Sequence, residues 1–354
     1  MDKKRAGFTA IALAILAALI YSQFRMWKNI DWNLFLVHTH SVSKFHILHG
    51  VALIYIAYIL RAVRWKIFLR PVRPETSTAS LVAPTLIGFT GLALLGRPGE
   101  LIRPYLIAKQ EKLPFSSQLA VWTVERIFDV GGFTILFVLA AFFATAPKRL
   151  ELQDIHIFQK VGMVLTLIVV GLTVGALVVH RSGETIARRL ESRFSHIPSH
   201  WGHRIALRIR EFRDGLNTIH DKKSLFLLIG VSVLMWAMIA VAYKEVTHAY
   251  GAPRLEIPQT QVFLLMASSM VGSLIQLPGV GGGSQVATIS VLNHVFGVPP
   301  ELATSCGIML WLVTFVAVVP IGLLVAHRER LSLRKLSAES HEAEKTAEAD
   351  TSAA

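Results

Sequence analysis

Residues Gly88–Asp129 read GFTGLALLGRPGELIRPYLIAKQEKLPFSSQLAVWTVERIFD, and this stretch decides the fold. Long apolar runs flank it, yet Arg97, Glu100, Arg103, Glu125, Arg126 and Asp129 all fall at or near membrane depth. An unpaired charge inside a bilayer costs about 2.5 kcal/mol or much more, so such residues face a protein interior or a wet cavity, usually in pairs. The same stretch is therefore the first place to look for function.

Working outward, apolar residues make up 53% of the chain and charged residues only 17%. Mean hydropathy is +0.51, whereas soluble domains carry about 25% charged residues. The class is all-α, a polytopic integral membrane protein. Full spans are expected at about 6–24, 46–63, 115–146, 157–180, 223–247 and 300–327. Each approaches the roughly 20 apolar residues that cross a bilayer. Two further apolar segments, 78–96 and 259–297, are interrupted by Gly and Pro and are expected to form broken or re-entrant hairpins.

The net charge of +13 does not point to nucleic acid. It reflects basic segments that face anionic lipid on the cytoplasmic side. Residues 61–73 carry Arg61, Arg64, Lys66, Arg70 and Arg73, and 181–223 carry ten more Lys and Arg. Placing both inside requires 78–96 to enter and return on one side, with the N- and C-termini in the cytoplasm. The N-terminus resembles a signal peptide without a small-x-small cleavage site, which predicts an uncleaved first helix. Residues 181–222 read as a basic amphipathic segment lying on the leaflet, and 328–354 as a disordered polar tail. The membrane domain is expected to span 1–327.

The two interrupted segments share a plan. LLGRPGE, a helix, KLPFSSQLA and a span are matched by IQLPGVGGGSQ, a helix, GVPPELATS and a span. The topology places one on each side of the membrane, as an inverted repeat requires, and paired Gly/Pro-interrupted segments mark the substrate site in such transporters.

On a helix, Trp122, Glu125, Arg126 and Asp129 share one face. Arginines suit an anionic headgroup through their planar, forked donors, with carboxylates orienting them. Backbone N–H groups near Gly99 and Gly283 add donors for an anion. The alternative is an ion-pair lock that only braces helices. Arg61, Arg64 and Arg70 read as snorkelling topology anchors. His38, His40, His46 and His49 read as polar loop residues, since no further ligand completes a metal site. Cys306, the single cysteine, reads as a small buried hydrophobe. No nucleotide, dinucleotide or hydrolase motif is present, and GVGGGS reads as a broken-helix turn; no cofactor or metal is expected.

The combination of G-R-x-G-E-L, E-R-x-x-D and P-G-x-x-G resembles the lysylphosphatidylglycerol synthase transmembrane-region family, whose members are also described as flippase-like UPF0104 membrane proteins. The resemblance covers residues 5–327. It places the first motif on Gly96, Arg97, Gly99, Glu100 and Leu101, the second on Glu125, Arg126 and Asp129, and the third on Pro278, Gly279 and Gly282, beside Gly283. Members often carry an acidic residue where this chain has Gln285. In the full-length synthases a soluble aminoacyl-tRNA-dependent transferase domain follows; here a short polar tail does, and lysyl transfer by this chain alone is not expected.

The leading functional expectation is a translocator in the cytoplasmic membrane, moving an anionic or lipid-linked headgroup held by Arg97, Arg103 and Arg126 between the two hairpins. Two alternatives stand beside it. One is a membrane transferase with Glu100, Glu125 or Asp129 as general base. The other is a non-catalytic partner of a separate lipid-modifying enzyme.

Overall fold

The computed structural model describes residues 31–143, 221–273, 276–277 and 281–329, with scattered helical positions between 160 and 174. The expected first span, residues 181–220 of the basic segment, the tail from 330 and most of 157–180 lie outside the described residues. The described chain is helical, and four of its helices are long and apolar enough to cross a membrane: Lys44–Leu69, Thr78–Leu95, Lys222–His248 and Pro300–Arg328. Large apolar side chains such as Phe226, Val271 and Leu324 stand exposed on these and neighbouring helices. Lipid, not water, is the solvent such faces require.

The chain divides into two compact units, one of Met1–Val51 with Ala242–Thr314 and the other of Ala52–Val241 with Phe315–Ala354. Each contains one of the two hairpins.

In the second unit, α2 (Lys44–Leu69) contributes its C-terminal two-thirds. Helix α3 (Thr78–Leu95) follows, then a 3-10 turn (Arg97–Leu101), α4 (Ile102–Glu111) and α5 (Phe115–Phe143). Here α1 is Trp32–His40, in the first unit. Pro84, Gly88 and Gly91 were expected to break 78–96, but α3 runs through all three and ends only at Gly96, whose φ of 70° suits glycine. The returning helix supplies the partner that the proline removes. Proline lacks an N–H and so orphans the carbonyl four residues back. That carbonyl, on Ser80, accepts from Gln110 Nε2 at 3.1 Å instead.

The same bond ties the start of α3 to the end of α4, and Thr76 Oγ1 donates to Glu111 Oε2 at 2.7 Å beside it. The segment thus leaves and returns at one end, as a re-entrant hairpin does. Its tip closes backbone to backbone. A Cβ on Gly99 would collide with the Gly91 carbonyl, and one on Gly88 with Cα and Cβ of Arg103. Gly99→Ala should therefore cost about 1–3 kcal/mol, as overpacking does. Gly131→Ala, where a Cβ meets nothing, should be neutral or stabilise α5 by about 0.5–1 kcal/mol. Thermal unfolding in detergent would separate the two. Trp65, Phe68, Leu69, Leu81, Ile107, Val121, Val124 and Leu228 form the apolar core beneath the hairpin. Helix α10 (Val318–Arg328) packs on α3, where Gly322 leaves room for Thr90.

In the first unit, the end of α6 (Lys222–His248) leads to α7 (Gln259–Gly272). Gln276–Leu277 then pairs antiparallel with Gly281–Gly282, and α8 (Gly283–Ser290) returns against α7. Pro278 and Gly279 lie outside the described residues. Gly281 and Gly282 of the glycine run are thus in the strand pair, and Gly282 (φ 130°) caps α8. Again the tip closes on glycine, since a Cβ on Gly272 would meet the Gly283 carbonyl. A Pro-containing loop follows, and then α9 (Pro300–Trp311), the first part of the long Pro300–Arg328 span. The two hairpins share this plan of helix, glycine turn, shorter returning helix and long helix.

One expectation needs correction in this unit, since none of the four histidines is a loop residue, and His38 and His40 lie in the last turn of α1. His46 and His49 are not loop residues but lie on α2, where Nδ1 of each approaches Glu245 of α6, at 2.6 and 3.4 Å. Glu245 sits at the end of an apolar run, and pairing explains its tolerance there. Cys306 is fully buried, as expected.

Candidate functional site

The site lies wholly within the second unit, where α2, the hairpin and α5 meet. Helix α5 presents Glu125 and Asp129 one turn apart, and both are buried. Like charges at this spacing repel, so the fold must supply cations to both. It does so from α2. Arg64, with no exposed surface, places Nη2 at 2.7 Å from both Glu125 Oε1 and Asp129 Oδ1, and Nη1 at 3.0 Å from Ser232 Oγ. Arg61, one turn earlier, reaches Asp129 Oδ2 at 3.4 Å. These two arginines are not snorkelling anchors. Helix α2 continues to Leu69, and carboxylates inside the protein hold them.

Arg103, 3% exposed, donates through Nη2 to Glu125 Oε2. Its guanidinium lies 4.4 Å from the Trp65 ring centre and 5.2 Å from that of Phe89. The Trp65 ring is itself fixed, with Nε1 donating to Gln118 Oε1 at 3.0 Å. Because Gly88 has no side chain, Arg103 sits directly against α3. Arg126 is the outermost member, its side chain 40% exposed, with Nη2 at 3.5 Å from Glu125 and 3.6 Å from Asp129. It stacks over Trp122 at 5.4 Å. Arg97 pairs with Glu100 across the 3-10 turn at 2.5 Å.

Above these groups is a small, partly open cleft lined by Gly88, Phe89, Leu92, Glu100, Arg103, Trp122 and Arg126. Nη1 of Arg103, Nε of Arg126 and Nε of Arg64 are buried and have no hydrogen-bond partner, and the first two belong to arginines that line the cleft. A guanidinium has five donors and no acceptor, so each unmade bond at this depth is costly until an anion supplies an acceptor.

The structure thus brings together Glu100, Arg103, Glu125, Arg126 and Asp129, with Arg97 on Glu100. It adds Arg61 and Arg64, together with the aromatic walls Phe89 and Trp122. Gly96 and Gly99 shape the turn. Gly99 is not an anion donor, since its N–H bonds the Gly96 carbonyl at 2.9 Å. Gly282, Gly283 and Gln285 belong to the first unit. Ser284 and Gln285 are buried there at the start of α8. No His, Cys, Asp and Glu group able to hold a metal occurs among the described residues.

The profile of the lysylphosphatidylglycerol synthase TM region matches residues 9–322. The chain belongs to that family. Among curated proteins, a UPF0104 membrane protein of Methanothermobacter thermautotrophicus is 24% identical over 90% of this chain and 92% of its own length. A second UPF0104 membrane protein of that organism is also 24% identical, over 77% of this chain and 80% of its own length. The glycosyltransferase AglD of Haloferax volcanii is 24% identical over 73% of this chain, which spans only 45% of AglD. No solved structure is significantly similar. Family membership and the apolar helices together make this an integral membrane protein.

Proposed function

We propose that the protein moves an anionic-headgroup lipid between the leaflets of the cytoplasmic membrane, with its termini on the cytoplasmic side. The observation that carries this reading is the pair of unsatisfied, buried guanidinium donors, Arg103 Nη1 and Arg126 Nε, at a cleft formed by a hairpin that enters and leaves on one side. In this reading the headgroup accepts from both arginines while the acyl chains stay in lipid. Glu125 and Asp129 hold the arginines in place, and Arg64 and Arg61 brace the acids from behind. The drive comes from a gradient or from the lipid's own distribution, and a separate lipid-modifying enzyme is the natural source of the lipid.

The transferase reading finds less support. Every oxygen of Glu125 and Asp129 lies within ion-pair reach of an arginine, which leaves neither poised as a general base, and Glu100, the third candidate, is paired through Oε1 with Arg97. Purified protein in vesicles holding a fluorescent anionic lipid provides the test. Wild type should render inner-leaflet label accessible to an external quencher, and Arg126→Ala should slow this at least tenfold while inserting normally. Equal rates would remove the cleft from the mechanism.

A further inference from the structure

Resting on the anionic-headgroup reading, we infer that the group this cleft binds is a phosphate carrying two negative charges, as a phosphomonoester or diphosphate does, and not the single charge of a phosphodiester. Four guanidinium groups, those of Arg61, Arg64, Arg103 and Arg126, share two carboxylates, leaving an excess of two positive charges. The neighbouring Arg97–Glu100 pair is neutral and does not alter this balance. Three of the four arginines are buried, so one of the two excess charges is fully buried, and the second belongs to Arg126, 40% exposed at the cleft, where the bound group would meet it. Uncompensated charge at that depth is strongly unfavourable, so the cluster is complete only with an anion of matching charge.

The geometry places the acceptor position in the same spot. Arg61 and Arg64 are turned toward the acids. Of the three orphaned guanidinium donors, those on Arg103 and Arg126 belong to arginines that line the cleft, and the third, Arg64 Nε, does not. A phosphate offers several acceptor oxygens to such forked donors. A phosphodiester would leave one positive charge unbalanced, and a terminal phosphate would leave none.

The charged and titratable groups facing the cluster are Tyr58, Arg61 and Arg64 of α2, Arg97 and Glu100 of the turn, Arg103 of α4, and Glu125, Arg126 and Asp129 of α5. Helix α3 contributes Phe89, which does not titrate. No histidine contacts the cluster among the described residues. Any pH dependence between 5 and 7.5 is then the ligand's own, since the second pKa of a phosphate monoester is about 6.

The test uses the full-length protein in detergent with short-chain phosphatidic acid, phosphatidylglycerol and glycerol 3-phosphate as probes. At pH 7.5 phosphatidic acid should bind at least tenfold more tightly than phosphatidylglycerol. By pH 5 its affinity should fall about tenfold as the second charge is lost, while phosphatidylglycerol stays level. Arg126→Gln, which lowers the excess to one at a half-exposed side chain, should shrink the preference to about threefold or less. Glycerol 3-phosphate that displaces phosphatidic acid at equal concentration would support the double charge and assign it to a soluble ester. Equal affinity for both lipids, lost in Arg103→Gln, would overturn the double charge yet leave the headgroup reading standing. No binding of either lipid, or binding unchanged in both variants, would overturn both.

Discussion

Exchanging Glu125 for glutamine should prevent the protein from accumulating in folded form. This carboxylate is fully buried and accepts from Arg64 and Arg103, with Arg126 close by. Its loss raises the positive excess of the whole cluster from two to three, and that of its buried members from one to two, and leaves Arg103 with no acidic partner. Removing one member of a buried ion pair costs about 3–5 kcal/mol, a large part of a total stability of about 5–15 kcal/mol. The measurement is the monodisperse fraction on size exclusion after solubilisation, with exposed Glu75→Gln as a control expected within about 0.5 kcal/mol of wild type. Adding Arg103→Met to Glu125→Gln restores the charge balance and should recover part of the loss. Additive damage in that double variant would show that the two side chains do not act as a pair.

The second large effect belongs to Arg103 and separates binding from folding. Arg103→Gln should cut lipid movement by roughly tenfold to a hundredfold, the worth of a hydrogen bond to a charged group of about 1.5–3 kcal/mol. Its thermal penalty should be smaller than that of Glu125→Gln. Glu125 keeps Arg64 at 2.7 Å and Arg126 at 3.5 Å, and the net positive excess falls instead of rising. Arg103→Lys should rescue only part of the activity. A lysine keeps the charge but not the planar fork that serves Glu125 and the cleft together. Movement at the wild-type rate in Arg103→Gln, with the protein intact, would place the headgroup elsewhere.

The alignment of Glu125, Arg126 and Asp129 on one face was readable because helical periodicity is local. So was the hairpin plan, because Gly96, Pro98 and Gly99, like the later glycine run, punctuate apolar segments. Arg61 and Arg64 were misread for a specific reason. Their partners lie more than sixty residues downstream, and an arginine near the end of an apolar run looks the same whether it snorkels or pairs. The one available signal was spacing, since i and i+3 places both on the face that carries Tyr58 and Trp65. The continuity of α3 through Pro84 was equally hidden, because it depends on the amide of Gln110, on the returning helix. Gly99 looked like an anion donor because its partner is the carbonyl three residues earlier, a detail of turn geometry that composition does not carry.

The reliance of Arg103 on Glu125 also bears on the order in which the chain can be built into a membrane. The tip of the hairpin is self-sufficient, because Arg97 and Glu100 neutralise each other within one turn. Arg103 is not, and its acid lies twenty-two residues later on α5. A nascent hairpin therefore has no settled position in the bilayer until Phe115–Phe143 has been synthesised beside it. The hairpin and its following helix are a single unit of insertion, and Arg103 waits at the interface for the helix that carries its partner.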